Sequence, residues 1–169
     1  MPLFALLQAG CLMAFALLLL AAGWQDLRTM RIDNRLSVGV AVAFVLWSVA
    51  GLAVGTLVVG DIALAVTCAI GVFFVGALAF AAGALGGGDV KLLAAASLFA
   101  APVFMLDFLT VVALVGGAMG LALLAGAPIG PEAPASNGAT VRTRLRSGLP
   151  YGPAIAAGGL WVAAHLAGA

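Results

Sequence analysis

The chain has 169 residues, 65% of them apolar, with 7 basic and 6 acidic side chains giving a net charge of +1. Its charged fraction is 8%, against about 25% in an average soluble domain, and its mean hydropathy is +1.27. That balance excludes a soluble globule, a disordered chain and a nucleic-acid binder, and leaves an integral membrane protein. Long Ala/Leu/Val runs without polar alternation point to helices and away from a β-barrel.

A helix needs about 20 apolar residues to cross a bilayer. Charges and Gly/Pro clusters divide the chain into six such spans, at 3–23, 36–54, 62–82, 89–106, 108–125 and 150–167. The first run lacks the basic head of a signal peptide, which predicts an uncleaved first span. Polar loops are expected at 24–35, 83–88 and 126–149. The last of these is rich in Pro, Gly, Ser and Asn, and no internal repeat is evident. Cys11 and Cys68 both lie in apolar runs, away from ligand spacing or a disulfide framework, and read as inert thiols.

The basic residues orient these spans. Arg28, Arg31 and Arg35 follow span one, Lys91 opens span four, and Arg142, Arg144 and Arg146 precede span six. Six alternating spans put all of them on one side, and Lys and Arg collect in cytoplasmic loops. The expectation is an all-α, polytopic single domain over residues 1–169, with both termini outside and the polar loops in the cytoplasm.

Ionisable groups at the edge of a span are functional candidates. Asp26 lies just past span one, and Asp89 opens span four directly after Gly86-Gly87-Gly88. The topology sets both at the cytoplasmic edge. Two carboxylates held close share one proton, so one can activate water while the other protonates a carbonyl oxygen. The alternative for Asp89 is a helix cap beside a glycine turn, and for Asp26 an interfacial charge among arginines. Glycines before Asp89 allow close backbone approach.

Gly86-Gly87-Gly88-Asp89-Val90-Lys91-Leu92 fits a GxGD motif followed by Lys-Leu, and resembles the prepilin peptidase family of GxGD aspartic membrane proteases. The segment from Asp26 through Arg31-Ile32-Asp33-Asn34 looks like that family's first aspartate segment, and Pro150-Tyr151-Gly152 like its Pro-Tyr/Phe-Gly segment opening the last helix. Together the three cover nearly the whole chain. The resemblance is closest to the short form of Tad/Flp pilus systems. The four cysteines of the larger bifunctional forms are absent, so N-methylation is not implied. One position departs from the pattern: Asp33 stands where the family usually has Pro. Asp33 can cap the next helix, as can Asn34. It also offers a second choice of partner for Asp89, with Asp26 preferred by motif position.

The resemblance implies a membrane aspartic endopeptidase that cleaves the leader of type IV or Flp-type prepilins at the cytoplasmic face of the cell (inner) membrane. Catalysis falls to Asp26 and Asp89. Gly86, Gly88, Lys91, Asp33, Asn34, Pro150, Tyr151 and Gly152 are the supporting residues. The partners are a prepilin, with a basic leader and an apolar helix, and the lipid bilayer. No metal, organic cofactor or nucleic acid is expected. Lys91 reads either as a group tuning the acids or as a snorkelling anchor. Trp24, Trp47, Tyr151 and Trp161 read as interfacial or packing aromatics. Two rival readings use the same residues. One is a small ion- or proton-coupled transporter, and the other an inactive pilus-assembly protein.

Overall fold

A computed structural model describes residues 2–127 and 149–168 of the chain, and the described residues form six helices and no strand. They are α1 (Pro2–Thr29), α2 (Asn34–Val54), α3 (Val59–Ala81), α4 (Gly87–Ala100), α5 (Met105–Leu124) and α6 (Gly152–Gly168). Among them α1, α2, α3 and α5 are long and apolar enough to cross a membrane. With 14 and 17 residues, α4 and α6 are shorter. The connection holding Arg142, Arg144 and Arg146 lies outside the described residues.

Two boundaries differ most from the sequence expectation. The first polar loop, expected at 24–35, is half helical, because α1 continues through Thr29. Nothing between Trp24 and Thr29 breaks a helix. Arg28 covers the ring of Trp24 one turn back, 4.5 Å from its centroid, and a cation in the last turn complements the helix dipole. Met30, at φ 53°, ends the helix in the left-handed region. Asp26 therefore stands on a helix and not beyond one. The fourth span, expected at 89–106, instead begins at Gly87 and stops at Ala100. Ala101 is extended (φ −82°, ψ 149°) because it precedes Pro102, whose ring disfavours helical dihedrals in the residue before it.

Helix α4 is the hub. It packs on α2, α3 and α6, while α1 packs on α2 and α6, and α5 on α6. Eight residues of α4 are buried, from Asp89 to Ala100. Its Phe99 stacks on Phe15 of α1 at 4.1 Å and meets Phe44 of α2 edge-on at 5.3 Å, each contact adding about 0.5–1.5 kcal/mol beyond area burial. The outer faces carry Leu3, Val75, Leu78, Leu106 and Leu121 in the open. An aqueous domain does not tolerate so much exposed apolar surface, and a lipid-facing one requires it. The chain is a helical membrane protein. Alternating helix direction brings the α1–α2 and α3–α4 connections and the start of α6 to one end of the bundle, which is where the functional candidates gather.

Candidate active site

Asp26 occupies the last turn of α1 and is 4% exposed. Its Oδ2 accepts a 2.7 Å hydrogen bond from the backbone N–H of Gly152. That N–H belongs to the first turn of α6, where helix donors have no partner of their own and the dipole favours a negative charge. Asp26 thus caps α6 from another part of the chain. A Cβ on Gly152 would fall 2.6 Å from the Asp26 Cβ and 2.9 Å from its Oδ2, so only glycine permits the contact. Pro153 follows in the first turn of α6, where a missing N–H costs nothing.

Asp89 is the third residue of α4 and is 8% exposed. Its Oδ2 accepts from the N–H of Gly86, the N-cap of α4, at 3.1 Å, and so satisfies one of the free amides at the start of that helix. Its Oδ1 is buried with no hydrogen-bond partner among the described residues. The cap therefore accounts for one oxygen and leaves the other free. The glycines before it make room: a Cβ on Gly86 would lie 2.7 Å from Asp89 Oδ2, and one on Gly88 would lie 3.1 Å from the Ile32 Cβ and 3.2 Å from the Ile32 carbonyl oxygen. Gly88 so brings the α1–α2 connection against the start of α4. The two carboxyl groups lie at the same end of the bundle, Asp26 against the start of α6 and Asp89 at the start of α4, although 63 positions separate them in the chain.

The remaining candidates fall around this pair in different ways. Asp33 is exposed and turned to its own helix, its Oδ1 accepting from Arg35 N at 2.9 Å as the N-cap of α2. Its own N–H points to Gln25 Oε1 at 3.4 Å. Asn34 accepts a 2.9 Å hydrogen bond from Lys91 Nζ, which ties the start of α2 to α4. Pro150 is fully buried. Tyr151 packs against Gly116 of α5, where an added Cβ would lie 3.3 Å from the Tyr151 Cε1. Sequence reasoning passed over Gln25 and Gly116, and gave Ile32 no role beyond its place in the first aspartate segment. The Gly116-Gly117 pair in mid-helix was the one available signal for Gly116. Among the described residues no group of three or more His, Cys, Asp or Glu could hold a metal ion. What the geometry can supply is acid–base chemistry from two buried carboxyls, of which Asp89 lines a groove between α4 and α5.

Compared with known families, residues 13–121 match the type IV leader peptidase family. The chain belongs to that family. No curated protein and no solved structure matches it. It is a protease of the leader-peptidase kind, built from membrane helices. The matched stretch contains Asp26, the α1–α2 connection and Asp89, and ends within α5. The Pro150-Tyr151-Gly152 segment lies beyond it, and the Gly152–Asp26 hydrogen bond joins that segment to the matched part.

Proposed function

We propose that this leader peptidase is an aspartic endopeptidase of the short Tad/Flp type, with Asp26 and Asp89 as its catalytic pair. The observation that carries the reading is the burial of both carboxyls at one end of the bundle, each with a single backbone N–H donor on Oδ2 and with Asp89 Oδ1 unengaged. Two such groups hold one proton between them, and the pair titrates as a unit. The ionised member takes a proton from water as the oxygen adds to the scissile carbonyl carbon. The protonated member donates to the carbonyl oxygen. Collapse of the tetrahedral intermediate breaks the C–N bond, and a proton passes to the departing amine. The Gly152 and Gly86 amides keep both carboxyls in place throughout.

The substrate is a prepilin of the type IV or Flp kind, with its basic leader in the cytoplasm and its apolar helix in the bilayer. In this reading all six helices span the cell membrane, both termini lie outside, and the acids sit at the cytoplasmic edge. Arg28, Arg31, Arg35 and Lys91 share the end of the bundle that holds the acids, which supports that orientation. The test is co-expression with a candidate prepilin, followed by the size of the pilin on a gel. Cleavage is lost with Asp26→Asn or Asp89→Asn and kept with Asp33→Asn. Cleavage that survives Asp89→Asn overturns the reading.

A further inference from the structure

Asp89, buried as it is, contributes to the wall of an open-sided groove of about 760 Å³ where α3 and α4 face α5. The groove takes Ala79 from α3, Asp89 from α4, and Ala113, Gly116, Gly117 and Gly120 from α5. Its lining on α5 extends from Leu109 to Leu124, about 22 Å at the rise of an α-helix, which is most of the apolar thickness of a bilayer. Gly116 is explained within the chain by the Tyr151 ring. Gly117 is not, since a Cβ there would meet nothing within 4 Å. Glycine weakens a helix interior relative to alanine, and at Gly117, unlike the equally open Gly71 of α3, the unfilled space belongs to the groove that Asp89 lines. A small-residue surface lets a second helix approach closely in lipid. At the end of that surface the buried Asp89 Oδ1 has no partner among the described residues.

We infer that this groove seats the apolar helix of the substrate, which enters sideways from the bilayer between α3 and α5 and packs against the Gly117 face of α5. The inference rests on the endopeptidase reading and adds to it the surface that selects a helix-bearing substrate. A lipid acyl chain matches the apolar walls but offers nothing to Asp89 Oδ1. A peptide entering the groove brings backbone N–H groups to that end. Docking along α5 delivers the segment at the end of the apolar helix to the acids, so the cut falls where the leader meets the membrane helix.

The test uses the full chain in lipid vesicles with a full-length prepilin. A photocrosslinker at position 117 is expected to capture the prepilin's apolar helix. The same probe at Gly71, an exposed position on α3 outside the groove, is not. In parallel, KM is expected to rise from wild type through Gly117→Ala to Gly117→Leu, by about tenfold or more for leucine. Gly71→Leu leaves KM unchanged. Crosslinks to lipid alone, or an unaltered KM in Gly117→Leu with cleavage intact, overturn the groove inference and leave the endopeptidase reading standing. Failure of the wild-type chain to cleave the prepilin overturns that reading and this inference with it.

Discussion

The amide of Gly152 donates a 2.7 Å hydrogen bond to the Asp26 carboxylate across 126 residues of sequence. One bond thereby fixes the first acid of the site and terminates the last helix of the bundle. An added methyl group has nowhere to go, being 2.6 Å from the Asp26 Cβ. Gly152→Ala is expected to destabilise the protein by about 1–3 kcal/mol, as overpacking does. It is also expected to slow prepilin cleavage by about 100-fold through misplacement of the carboxylate. Thermal unfolding in detergent and a cleavage time course check the two effects.

At Asp89 a role in folding can be separated from the role in catalysis proposed for it. Asparagine at position 89 keeps an oxygen for the Gly86 N–H and so keeps the cap, whereas alanine loses it. Asp89→Asn is expected to unfold within about 0.5 kcal/mol of wild type and Asp89→Ala about 1 kcal/mol earlier. Cleavage is lost in both. Equal unfolding temperatures for the two variants would remove the capping role from Asp89.

Asp33 is the third carboxylate near the site, and its Oδ1 is engaged with Arg35 N at 2.9 Å. Asp33→Asn is expected to leave cleavage unchanged. Asp33→Ala costs about 1 kcal/mol of stability through loss of the α2 cap. A large loss of cleavage in Asp33→Asn, with stability held, would move the partner of Asp89 from Asp26 to Asp33.

The Lys91–Asn34 hydrogen bond of 2.9 Å is exposed and links two helices. Such bonds contribute about 0.5–1.5 kcal/mol. A double-mutant cycle of Lys91→Met and Asn34→Ala is expected to give a coupling of about 1 kcal/mol in stability, with cleavage lowered by less than about tenfold in either single variant. A fall of several hundredfold in Lys91→Met alone would place the ammonium in the chemistry.

Much of this protein was legible from residue order. Hydropathy alone identifies a membrane chain, since a bilayer demands long apolar helices that satisfy their own backbones. Charge placement and motif spacing single out Asp26 and Asp89 and group them at one end, because alternating helices return the chain to the same side every second turn. Pro102 was visible as a breaker, although the expected span ran past it. The helical state of Trp24–Arg28 was hidden by its polarity, which marks the membrane edge but does not stop a helix.

What residue order could not decide was which distant groups meet. The unpaired N–H groups at the start of α6 can donate to any carboxylate that reaches them, and packing alone chose Asp26. Ile32 sits on Gly88 because the α1–α2 connection closes over α4. The groove beside Asp89 exists because α5 leans on α6 rather than filling the space next to α3. Local pattern determined the helices and the kind of chemistry. Tertiary packing decided which amides hold the two carboxyls and that a groove opens beside Asp89, because those contacts depend on close approach between segments that no sequence period connects.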